Sequence, residues 1–180
     1  MKATVPALLV LAAVLVQTAV VNRLPLPWGL APDLVLLVVV GIALWSSPVA
    51  GAVTGFAAGL AVDVLPPADH EIGRTALLLC LAGYAIASVR DSGVRSGPGP
   101  YVAAAGTALG VTAGFVLLGL VLGDPRAQLP DAVWTLLGGT AMTLVVSPAV
   151  LVPTGALMRR ITGDAYSDLP VPVTSGRGWR

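Results

Sequence analysis

Charge is what this 180-residue sequence has least of. It carries 10 basic and 9 acidic residues, 11% of the chain, against about 25% in an average soluble domain. Lysine occurs once, at Lys2, histidine once, at His70, and cysteine once, at Cys80. A net charge of +1 gives a nucleic-acid partner no electrostatic footprint. A lone cysteine excludes an intramolecular disulfide and any cysteine-rich metal site. The lone histidine sits in a polar stretch, so no apolar segment holds the buried serine–histidine pair that an intramembrane serine protease needs. Asp69, His70 and Glu71 are consecutive, and on a helix they would diverge around the axis instead of converging on one ion. No metal site is therefore expected. No Gly-Lys-Ser/Thr sequence exists to form a phosphate loop, and no cofactor is implied. The sequence reads as that of a protein without catalytic function.

What is present is apolar side chain: 56% of residues, with a mean hydropathy of +0.90. A soluble domain of this length cannot hide so much, because much of its surface must still face water. The charges lie in small clusters between long uncharged runs. Runs near twenty residues match a bilayer core about 30 Å thick. The fold class expected is an all-α membrane protein. The excess of Ala, Val, Gly and Leu over Lys fits a high-GC bacterial genome.

Breaks in the apolar pattern divide residues 1–160 into six spans, at about 3–21, 33–46, 49–65, 75–89, 101–122 and 133–157. The first is read as an uncleaved helix, since a signal peptide would be shorter and end at a small-residue site. The loop after it holds Arg23, three prolines and Trp28, an aromatic expected at headgroup level. From Leu34 to Val62 there are 29 residues without a charge. As one helix that run would be about 43 Å long, more than the bilayer core needs. Ser46-Ser47-Pro48 splits it, because proline disfavours helix at the residue before it. The two short halves then require bilayer thinning or shielding by neighbouring helices. Pro66–Glu71 is a polar loop, and the Gly-Pro-Gly-Pro at 97–100 closes another. Pro148 and Pro153 are expected to kink the sixth span. Residues 161–180 mix Pro, Gly, Ser and charge and are expected to form a disordered cytoplasmic tail.

Seven of the ten basic residues (Lys2, Arg90, Arg95, Arg159, Arg160, Arg177 and Arg180) fall on the side of both termini. Both termini are therefore expected in the cytoplasm, with the protein multi-pass in the cell membrane and membrane lipid its first partner.

Two glycine series have the spacing by which helices associate closely in lipid. Gly51, Gly55 and Gly59 form a ridge on the third span, and Gly106, Gly110 and Gly114 repeat it on the fifth. Each is read as packing within the bundle, with an intermolecular surface as the alternative. Asp63 lies one turn past Gly59, where a carboxylate either ends the helix at the interface or faces a cavity or partner. Asp33 and Asp131 each follow a proline and open a helix, where an acid caps the positive end of the macrodipole. Gln17, the strongly polar residue of the first span, is expected to hydrogen-bond across helices.

The succession Pro32-Asp33-Leu34, Thr54-Gly55-Phe56 with Gly59 and Asp63, then Ile72-Gly73-Arg74-Thr75-Ala76-Leu77 leading to Tyr84, resembles the MreD family of bacterial rod shape-determining membrane proteins. Gln17 followed by a Pro/Trp-containing loop fits the same family. The resemblance spans roughly residues 5–160 and is densest between 32 and 90. The sequence departs from the family in its Ala/Gly/Val-rich fifth span, its Gly-Pro-Gly-Pro loop and its longer polar tail. The resemblance implies a six-helix bundle akin to the substrate-binding subunits of energy-coupling-factor transporters. It also implies a scaffolding role in cell-wall elongation, regulating cell or spore shape. The implied partners are an MreC-type protein and an MreB-linked elongation complex with a RodA-type glycosyltransferase and a class B penicillin-binding protein. It further marks Gly73 and Tyr84, with Gln17, Asp33, Gly55, Gly59 and Asp63, as candidate packing or partner residues. A transporter subunit that binds a small molecule is the alternative. It would need convergent polar and aromatic groups, and the spans offer few beyond Gln17, Trp45, Tyr84 and Trp134. A lipid-modifying enzyme would need several acids or a histidine–acid pair at one depth, and Asp63 stands nearly alone.

Overall fold

A computed structural model describes residues 4–24, 30–65, 73–89, 94–95, 97–122 and 129–167. Its six α-helices are α1 (Thr4–Ala19), α2 (Leu34–Ala43), α3 (Pro48–Val64), α4 (Arg74–Ser88), α5 (Gly99–Leu122) and α6 (Leu129–Ser167). A 3-10 turn, Val21–Arg23, follows α1. The protein is all-α and membrane-like.

The centre of the bundle is α2. It is apolar on every side, as a wholly enclosed helix must be, and Val35 through Ala43 are all buried. It touches each of the other five helices. At 10 residues it is about 15 Å long, half the hydrocarbon thickness. Shielding by neighbours is therefore how this short segment is accommodated. Ser47 ends the break before α3: its hydroxyl accepts from the Ala50 N–H, and Pro48 opens the helix at a position where its missing N–H costs nothing.

Around α2 the outer surface is apolar. On α3 the small residues Gly51, Gly55, Ala58 and Gly59 are buried, whereas Val49, Val53, Phe56, Leu60 and Val64 are exposed. The bulky stripe faces outward and the glycine stripe inward. In water such a surface would drive aggregation; in a bilayer it meets lipid. Among the described residues, three segments are long and apolar enough to cross a membrane: Thr4–Arg23, Gly99–Leu122 and Leu136–Thr162.

Pro148 and Pro153 lie inside α6, which continues as one helix through them. Pro148 has no N–H for the Leu144 carbonyl four residues back. The Ser147 hydroxyl donates to that carbonyl instead, at 2.7 Å, which is how a proline is tolerated in a membrane helix. The helix reaches Ser167, beyond residue 160 where the tail was expected to begin. Residues 168–180, like the 66–72 loop, lie outside the described residues.

Candidate functional site

The candidate residues of the sequence fall into three places. The first is the α3–α4 hairpin. A Cβ built at Gly51 would stand 2.5 Å from the Gly83 carbonyl oxygen, and one at Gly59 would stand 2.5 Å from the Ala76 Cα. One at Gly55 would overlap the Leu79 carbonyl. The first ridge is thus pressed backbone to backbone against α4, where Ala76, Gly83 and Ala87 supply a matching stripe of small residues. That stripe was missed in the sequence, although Gly83 and Ala87 have the same four-residue spacing.

Asp63 closes the hairpin. Its side chain is 1% exposed, and Oδ2 accepts from the backbone N–H groups of Gly73 at 2.8 Å and Ala76 at 3.1 Å. These belong to the first turn of α4, whose N–H groups have no partner within the helix. Asp63 therefore caps α4 from outside it, and a carboxylate there also meets the positive end of the helix dipole. Gly73 makes the geometry available. It stands at φ 104°, a left-handed conformation that residues with a Cβ rarely adopt. Next to it, Arg74 is buried and ties α4 to α5. One amino group donates to the Phe115 carbonyl at 3.1 Å, and the guanidinium lies 4.4 Å from the centre of the Phe115 ring.

The second place is the start of α2. Gln17, buried on α1, donates through Nε2 to the Pro32 carbonyl (3.1 Å) and to Asn22 Oδ1 (3.0 Å), and its Oε1 accepts from the Leu34 N–H (2.8 Å). Asp33 Oδ1 accepts from the Leu36 N–H at 2.8 Å, and the Asp33 N–H donates to the Thr143 hydroxyl of α6 at 3.0 Å. Three helices are thereby pinned to one peptide segment, and the end of the buried helix has its polar groups satisfied.

The third place is the outer face of α5, and here the expectation of an intramolecular ridge is corrected. A Cβ at Gly106 or Gly110 would meet nothing within 4 Å, and both glycines are exposed. Only Gly114 has a close neighbour, the tip of Leu78. Gly106 and Gly110 instead border an open apolar groove of about 420 Å³ between α4 and α5, lined also by Leu78, Leu81, Ala85, Ile86 and Val111. Tyr84 is exposed on α4. Asp69, His70 and Glu71 lie outside the described residues, as does the Asp131 side chain. Among the described residues no three His, Cys, Asp or Glu side chains gather in a way that would hold a metal ion.

In chemical terms, these places cap, pin and pack. The hydrogen bonds of Asp63 Oδ2 and of Gln17 go to backbone and side-chain groups of the fold itself. The family model of the rod shape-determining protein MreD matches residues 1–94, more than half of the 180-residue chain, and covers α1 through α4 with both polar devices. No curated protein and no solved structure matches the chain. With its helical, lipid-facing bundle and the hairpin that carries the matched motifs, the chain belongs to the MreD family of rod shape-determining proteins.

Proposed function

We propose that this protein is a non-catalytic, multi-pass scaffold of the cell-wall elongation machinery in the bacterial cell membrane, with both termini cytoplasmic. It holds an MreC-type partner and, through it and MreB filaments, a RodA-type glycosyltransferase and a class B penicillin-binding protein, and so regulates cell or spore shape. In this reading the bundle is akin to the substrate-binding subunits of energy-coupling-factor transporters, with scaffolding in place of substrate capture.

The observation that carries the reading is the α4–α5 groove. Gly106 and Gly110 are one helical turn apart, exposed, and opposed by no side chain among the described residues. In lipid, small residues on an outward face are what allow a second helix to approach closely. A membrane helix of the partner laid along α5 would bury the groove without displacing any contact that holds the bundle.

The test is co-purification in mild detergent. Gly106→Leu and Gly110→Leu are expected to reduce recovery of the MreC-type partner at least tenfold while membrane abundance stays normal. Undiminished recovery with both variants overturns the assignment of the groove. A deletion strain should lose shape control and disperse its wall synthases. Normal shape with a growth defect cured by one nutrient would favour the transport alternative.

A further inference from the structure

At the end of the bundle opposite Asp63 and Gln17, the last turn of α2, the start of α5 and the second half of α6 enclose a cleft of about 250 Å³. Arg95 and Arg159 stand at it, with Trp45 and Tyr101, over a wall that includes Gly41, Leu151 and Val152. Among the described residues that line it, none is acidic. We propose that this cleft binds the phosphate headgroup of an anionic membrane lipid, an assignment independent of the scaffold reading.

Electrostatics come first. Two guanidiniums share one cleft whose described lining holds no carboxylate, so an anion is the complement that their charges favour. Arg95 is held in place from one side: its Nε donates to the Leu44 carbonyl at 2.7 Å, and its guanidinium lies 5.0 Å from the centre of the Trp45 ring. The Leu44 bond uses one donor of the guanidinium fork and leaves the terminal amino groups, which suit a phosphate's paired oxygens. The Arg159 side chain, exposed on α6, has no hydrogen-bond partner among the described residues and contributes the second charge.

The cleft's shape selects a lipid over a free anion. Its arginine end is polar and flanked by Trp45 and Tyr101, aromatics of the kind that settle at headgroup depth. Its apolar wall leads to Val152, which is 60% exposed on the lipid-facing surface of α6, so an acyl chain has a continuous path from the headgroup into the bilayer. Gly41, where an added Cβ would stand 2.7 Å from Thr154 Cγ2, lets α2 and α6 approach closely beneath the cleft. A basic pocket between membrane helices on the cytoplasmic side is a known arrangement for headgroup recognition, and the arginine count places this end on that side.

The experiment uses the full chain, purified and reconstituted in phosphatidylcholine nanodiscs. Native mass spectrometry and thermal melting are read with phosphatidylglycerol, with extra phosphatidylcholine, and with inorganic phosphate. Phosphatidylglycerol is expected to be retained at least tenfold better than phosphatidylcholine and to raise the melting temperature, whereas inorganic phosphate at equal concentration does neither. Arg159→Gln should abolish the selectivity without changing melting in phosphatidylcholine alone, because Arg159 holds nothing in the fold, and Arg159→Lys should restore most of it. Arg23→Gln, at the other end of the bundle, should leave it intact. Equal retention of the two lipids, or full selectivity in Arg159→Gln, overturns the proposal. Binding of inorganic phosphate with no preference between the lipids overturns the lipid assignment in favour of a soluble anion.

Discussion

The α3 and α5 helices carry the same series, three glycines four residues apart, and the fold puts it to opposite uses. On α3 every added Cβ would strike the backbone of α4; on α5 the first two would strike nothing. Glycine spacing thus states that a helix can be approached closely without stating by what. The difference lies in the neighbouring chain. The α3–α4 connection is short, and Asp63 fixes both its ends, so α4 is delivered onto the ridge. Opposite Gly106 and Gly110 the described residues supply no second backbone.

The comparison breaks most easily at Gly55. A leucine there must displace the Leu79 backbone, not a flexible side-chain tip, and overpacking of this kind costs about 3 kcal/mol. Gly55→Leu should show a large fall in melting temperature and in folded yield. Unchanged melting would mean the hairpin is looser than its geometry.

Gln17→Leu should come next. It removes the partners of the buried Pro32 carbonyl and Leu34 N–H while keeping the side chain's bulk, for a loss of about 2 kcal/mol. The same measurement checks it, and a loss below about 0.5 kcal/mol would show that water replaces the side chain.

Asp63→Asn keeps one acceptor oxygen for the Gly73 and Ala76 N–H groups but removes the charge. The expected loss is about 1.5 kcal/mol, the low end for hydrogen bonds to a charged group. Hydrogen exchange should report it first as faster opening of the first turn of α4. No change in exchange there would reduce Asp63 to a residue that ends α3.

The smallest stability effect belongs to Gly106→Leu and Gly110→Leu, within about 0.5 kcal/mol, as for surface sites. This sharpens the contrast with Gly55, since one substitution at one kind of motif should unfold the protein on α3 and leave it folded on α5. A melting loss comparable to that of Gly55→Leu would place an intramolecular contact where the groove now stands.

Much of this was legible beforehand because it depends on neighbours in sequence. Ser46-Ser47-Pro48 divides a 29-residue apolar run by local backbone sterics alone, and the structure turns there. Gln17 was expected to bond across helices, since a lone amide in an apolar span needs a partner wherever it finds one. Which groups it would meet was not legible: Pro32 and Leu34 are distant in sequence, and only the crossing of α1 over the start of α2 brings them together. Arg95 beside Trp45 was hidden for the same reason. The two are separated by two helices, and nothing periodic links them.

By itself, the sequence determined the solvent and the number of helices, because hydropathy and charge act through the chain's own local geometry. Tertiary structure decided direction: which glycine ridge turned inward, which acid found two N–H groups, and which arginines came to face the same cleft. Those outcomes depend on helix faces meeting across distances that no sequence interval encodes.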